Sequence, residues 1–175
     1  MKGSYQDVSF NGKNYCMKHL APFKFLAAIS GIDAPVQISV TFGTHVFTDQ
    51  KENGPELFPG RYFCLERYTA SINLPALLSD QLLLAHVVPH VNKTNNENYF
   101  YSTIDDYVVF FDLRKDDSHK NGLKLVVISA YEVDAWGKGS LPKGTPVKFS
   151  FVTYLRLNGK TYLASKKNDR KAKRR

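Results

Sequence analysis

Val36, Ile38, Val40 and Phe42 alternate with Gln37, Ser39, Thr41 and Gly43. A period of two sends these sets to opposite sides of an extended chain, so the segment is held to a strand with one covered face. Continuing the period places His45 and Phe47 on the face of Ser39 and Thr41. Residues 107–111 and 123–128 are rich in β-branched and aromatic side chains, which predicts the central strands. The other segments are assigned around this sheet.

Asn-Gly between alternating segments favours a type I′ hairpin turn, because both residues tolerate positive φ. The pattern occurs at Phe10-Asn11-Gly12-Lys13-Asn14-Tyr15 and again at Leu157-Asn158-Gly159-Lys160-Thr161-Tyr162. Hairpins are therefore expected over 7–18 and 147–165, with a strand over 147–155. Residues 50–60 read as a loop, 62–68 as a strand and 23–28 as a short helix. Asn73 caps a helix whose apolar stripe is Leu74, Leu77, Leu78, Leu82 and Ala85. Pro89 ends it, which puts His86 and His90 at the helix end, and 92–98 is loop-like. The expected fold is α+β: a single compact domain over 1–165, mostly antiparallel sheet with one main helix packed on it. At 175 residues and 43% hydrophobic, the chain has a one-domain length and ample material for a core.

The formal charge of +8 is unevenly spread. Lys166, Lys167, Arg170, Lys171, Lys173, Arg174 and Arg175, opposed only by Asp169, carry +6, which leaves 8 − 6 = +2 for everything before them. Residues 166–175 are expected to form a disordered basic tail that attracts nucleic acid in a salt-dependent way without reading sequence.

Cys16 and Cys64 are too few for a disulfide framework and lack zinc spacing. No segment approaches a membrane span or a signal-peptide core, so a cytoplasmic protein with no membrane partner is expected. No phosphate-binding glycine loop, dinucleotide turn or metal motif is present, and no cofactor or metal is expected. His86 and His90 have helical spacing but no nearby carboxylate. Asp112, Glu132 and Asp134 read as solvated strand ends.

Chemistry is best sought at His45, whose imidazole accepts and returns a proton near neutral pH. RNA cleavage through the 2′-hydroxyl needs such a base plus a cation for the phosphorane, for which Arg61 and Arg67 are candidates. Tyr131 is a candidate to orient a phosphate or move a proton. Plainer roles exist as well: Tyr131 continues the face of Leu125, Val127 and Ser129 and suits a core cap, and Arg67 has Glu66 and Glu56 as available partners.

The phrases Thr41-Phe42-Gly43-Thr44-His45-Val46-Phe47-Thr48, Arg61-Tyr62-Phe63-Cys64-Leu65-Glu66-Arg67-Tyr68 and Ser129-Ala130-Tyr131 resemble small uncharacterised proteins of bacterial genomes and mobile elements. The resemblance implies a bacterial or phage setting. Two functions follow as expectations. One is a nucleic-acid-associated protein, with RNA the partner, acting as a metal-independent ribonuclease of toxin-like type. The other is a non-enzymatic interaction or regulatory module of a phage or mobile element, with a protein partner.

Overall fold

The computed structural model describes residues 4–92, 97–104, 107–132, 141 and 143–162. Asn11 and Gly12 take φ of 48° and 70° and close the hairpin of β1 (Val8–Phe10) and β2 (Lys13–Tyr15), as their chemistry predicts. Residues 23–27, expected as a short helix, form strand β3 (Phe23–Ala27). Lys24 and Leu26 are exposed while Phe23 and Phe25 are half-buried, a period of two. The edge of a large sheet is available to it. β3 pairs antiparallel with β4 (Val36–Phe42), whose Val36, Ile38, Val40 and Phe42 are all buried.

β4 stops at Phe42, so the expected continuation of its period to His45 does not hold. A single 3-10 turn, Thr44–Val46, follows and leads into β5 (Thr48–Asp49). The stretch read as loop contributes β6 (Glu56–Phe58), joined by Pro59-Gly60 to β7 (Arg61–Phe63) in a small sheet of order β5-β7-β6. The expected strand over 62–68 ends at Phe63, because α1 (Leu65–Ser71) begins two residues later. A bend separates α1 from α2 (Leu74–Asp80), which buries Leu74, Leu77 and Leu78. This bent segment is the main helix the apolar stripe indicated.

The helix does not run to Pro89. After a 3-10 turn at Leu82–Leu84 the chain enters β8 (His86–Asn92), so His86, Pro89 and His90 lie on a strand. Proline is tolerated there because β8 is nearly an edge. Its outer neighbour β12 (Val147–Lys148) reaches only His86 and Val87. β9 (Glu97–Ile104), β10 (Tyr107–Lys115) and β11 (Gly122–Glu132) complete a seven-stranded sheet of order β12-β8-β9-β10-β11-β4-β3. All its pairs are antiparallel except β11 with β4. The architecture is α+β, and 107–111 and 123–128 are central strands as their composition predicts.

The largest departure is at 147–165. The expected strand and hairpin are instead α3 (Phe149–Leu157), with Phe149, Val152, Thr153 and Leu155 buried. Local composition favours strand, but this spacing buries a helical face, with Phe149 edge-on to Phe111 at 5.9 Å. The second Asn-Gly therefore ends a helix. Gly159 takes φ 68°, its N–H reaches the Arg156 carbonyl at 3.0 Å, and that of Lys160 reaches Leu155 at 2.8 Å. That pair of bonds is a Schellman cap. One hydrophobic cluster, from Val8 through β4, β10 and β11 to Val152, unites these elements.

Replacing Gly159 by Ala forces a side chain into the left-handed region, and is expected to cost about 1 kcal/mol in denaturant unfolding. No loss would show that the cap carries no strain.

Candidate functional site

The site is built where β4 ends against an irregularity in β11. Phe111 pairs with Val127 but Phe110 pairs with Ser129, so Ile128 is an extra residue. Opposed residues in a ladder share a face, and the bulge thereby moves Ser129 and Tyr131 to the side opposite Leu125 and Val127. The expected continuous face from Leu125 to Tyr131 does not exist. Gly43 abuts this bulge: its N–H donates to the Val127 carbonyl at 2.7 Å. A Cβ on Gly43 would sit 3.2 Å from both the Val127 and Ile128 carbonyl oxygens.

The turn that follows carries His45 and is held by two arginines. Arg67, from α1, donates through Nη1 to the His45 carbonyl at 2.8 Å and to the Ser129 hydroxyl at 3.2 Å. Its guanidinium also lies 5.7 Å from the centre of the Tyr131 ring, a cation–π arrangement. Arg61, from β7, donates Nε to the Thr48 hydroxyl at 3.1 Å and Nη2 to the Thr48 carbonyl at 2.7 Å. The buried Thr48 hydroxyl in turn donates to the Thr44 carbonyl at 2.8 Å. His45 occupies the exposed middle of a turn whose backbone is tied on both sides.

The electrostatics follow from that placement. Although His45 is exposed as a residue, partial burial of its imidazole pushes it below its ordinary pKa, and the charges of Arg61 and Arg67 push it the same way. Burial and then Arg67 lower Arg61, which the Asp49 carboxylate partly offsets. Burial raises the Tyr131 phenol, opposed by Arg67, so it stays a proton donor at neutral pH. The Cys64 thiol is likewise raised, first by burial and also by Asp49, against an opposing contribution from the Arg67 backbone N–H. It is a protonated thiol, not a poised nucleophile.

Beside this turn lies a cleft of about 700 Å³ whose lining includes Phe10, Asp49, Phe63, Cys64, Arg67 and Tyr131. Of the four candidate catalytic residues, Arg67 and Tyr131 line the cleft; His45 and Arg61 stand at the adjoining clamped turn. Glu56, offered by the sequence as a partner for Arg67, accepts from the Gly60 N–H at 2.8 Å. Thr48, Ser129 and the cleft wall at Phe10 have no signature in the sequence. Their roles come from register and close approach.

The remaining expectations divide as follows. Lys166, Lys167, Arg170, Lys171, Lys173, Arg174 and Arg175 lie outside the described residues, as do Asp134 and the Glu132 side chain. Asp112 is buried and paired with Arg114, not a solvated strand end. Among the described residues no group of His, Cys, Asp and Glu is assembled to hold a metal ion. No described helix is long and apolar enough to cross a membrane.

Comparison with family models gives a match to the YjaZ family over residues 7–157, a span running from the first hairpin to the end of α3. The chain belongs to the YjaZ family. Neither the curated proteins nor the solved structures provide a match.

A second histidine shares the depressed basicity of His45. His19 Nε2 lies 2.8 Å from the Ser71 hydroxyl, and burial lowers the ring's pKa against a bond with the Cys16 backbone that raises it. Both groups bind a proton more weakly in the folded chain than in the unfolded one. Their stabilisation is therefore complete above the unfolded value of 6.5 and declines as pH falls below it. Urea unfolding should give less stability at the low end of the range from about pH 7 to about pH 5, where carboxylates stay ionised. Replacing His19 and His45 together by Gln should flatten the profile. A decline unchanged in that variant would contradict the assignment.

Proposed function

We propose that this chain is a nucleic-acid-associated protein that acts on RNA without a metal, in the manner of a small ribonuclease toxin, with His45 moving the proton. The observation that supports this reading is the clamped turn, which holds His45 exposed beside two guanidinium charges while its backbone is tied to α1 and β11. RNA carries its own nucleophile. In the proposed reaction, neutral His45 takes the 2′-hydroxyl proton and the 2′-oxygen bonds to the adjacent phosphorus. The bond from phosphorus to the 5′-oxygen then breaks, and that oxygen takes a proton from solvent. A 2′,3′-cyclic phosphate remains. Arg61 and Arg67 offset the charge that builds on the phosphorane, and the Tyr131 phenol donates to a phosphate oxygen.

The depressed pKa suits the first step, because it keeps His45 in its basic form at neutral pH. Residues 166–175 raise the encounter rate with the polyanion, and the near-balanced remainder leaves selection to the cleft.

A second reading, a non-enzymatic interaction module of a phage or mobile element, draws on apolar side chains at the surface. Leu84 is 84% exposed, Phe151 45% and Tyr154 40%, on the 82–84 turn and the α3 helix that packs against it. Those side chains suit a protein partner and contribute nothing to RNA cleavage.

The two readings part in one assay. Purified protein in EDTA should cleave single-stranded RNA to 2′,3′-cyclic ends, and His45→Ala should slow this by about 100-fold or more with unchanged melting. RNA left intact by the unaltered protein would favour the interaction module. Removing residues 166–175 should make the plot of log affinity against log salt shallower, by about 0.7 on single strands for each phosphate no longer neutralised. An unchanged slope would contradict a role for that segment.

A further inference from the structure

The cleft beside the clamped turn has a composition more specific than a general polyanion track. Its charged lining consists of Asp49 and Glu66 against Lys51 and Arg67, which balance. A balanced site gives no advantage to a ligand of several negative charges. Its apolar walls come from unconnected parts of the chain. Phe10 projects from the β1–β2 hairpin and Tyr131 stands beyond the β11 bulge, while Phe63, at the end of β7, is buried and backs Phe10 from the core. Phe10 and Phe63 meet with ring centroids 5.7 Å apart. Pockets of roughly 300–1,000 Å³ with aromatic walls and a few placed polar groups hold small organic ligands, and 700 Å³ falls within that span.

We infer that this cleft is a subsite for a single nucleotide unit, taking a base against the Phe10 and Tyr131 walls and one phosphate at Arg67. The inference rests on the RNA reading above and names the piece of RNA that the cleft selects. Aromatic walls hold any base by stacking and apolar contact, with little preference for sequence. Arg67 is the cation best suited to the phosphate, since the His45 carbonyl, the Ser129 hydroxyl and the Tyr131 ring already fix its guanidinium. The β1–β2 hairpin thereby gains a role: it forms its own two-stranded sheet, hydrogen-bonded to neither of the others, and brings Phe10 to the cleft.

Amide-shift titrations of the isotope-labelled full chain test this with adenosine 5′-monophosphate, adenosine, inorganic phosphate and ATP as probes. The monophosphate should move the amides of Phe10, Cys64, Arg67 and Tyr131, and bind at least about tenfold tighter than adenosine or phosphate alone. ATP should bind no tighter than the monophosphate. Phe10→Ala should weaken binding about fivefold or more by removing one wall. Thr69→Phe, at an exposed α1 position lining the cleft, should block it without loss of melting temperature.

Phosphate binding as well as the monophosphate, ATP binding tighter, or Thr69→Phe leaving monophosphate binding intact would each overturn the inference. Cleavage of RNA by a protein whose cleft amides ignore the monophosphate would overturn it too, while leaving the ribonuclease reading standing. A cleft that binds the monophosphate in a protein inert toward RNA would do the reverse.

Discussion

The contact between Gly43 and the extra residue in β11 is the constraint from which the local architecture follows. A parallel pair needs its partners in step, and β4 and β11 stay in step from Gln37 with Gly122 up to Phe42 with Val127. There the bulge takes up one residue, the Gly43 N–H closes on the Val127 carbonyl, and β4 has no further ladder to follow. The chain turns instead, which puts His45 at an apex rather than on a strand. The same bulge re-aims Ser129 and Tyr131 towards α1, where Arg67 meets both. One inserted residue thus changes the sheet geometry and supplies the partners of the arginine that holds the turn.

Two arginines converge on one small turn, Arg61 from β7 and Arg67 from α1. The arrangement is costly, since Arg67 disfavours the charge on Arg61 and both disfavour a charge on the imidazole. The structure offsets this with carbonyl and hydroxyl acceptors from Thr48, His45 and Ser129, supplemented by Asp49 near Arg61. Charged donors bound to neutral acceptors keep their charge, so the cluster remains cationic after its hydrogen bonds are made. That residual field adds to partial burial, the larger cause, in disfavouring the protonated imidazole.

Much of the sheet is legible in the sequence because its signals are periodic and local. The alternation over 36–42, the runs over 107–111 and 123–128 and the first Asn-Gly each specify a structure within a few residues. The failures have a common cause: the deciding interaction lies elsewhere in the chain. Residues 149–157 are helical because Phe149, Val152 and Leu155 reach a core that local composition does not reveal. The second Asn-Gly closes a helix because a helix precedes it. Pro89 is accommodated in β8 because β12 is too short to need its N–H. At the site, residue chemistry pointed to His45, Arg61, Arg67 and Tyr131, and the fold brings the first three within electrostatic reach. Thr48, Ser129 and Phe10 were invisible, since a threonine that locks a turn has the same letter as one facing solvent.

The central claim is that His45, its imidazole partly buried, sits in a field made by two arginines that β7 and α1 fix around its turn. The most direct measurement is the pKa of its imidazole, followed by NMR through the ring-proton shifts in the unaltered protein and in Arg67→Ala. The value should lie below the ordinary 6.5 and move back towards it when Arg67 is removed. A His45 that titrates at or above 6.5 in the unaltered protein, and does not respond to the loss of Arg67, would contradict this account.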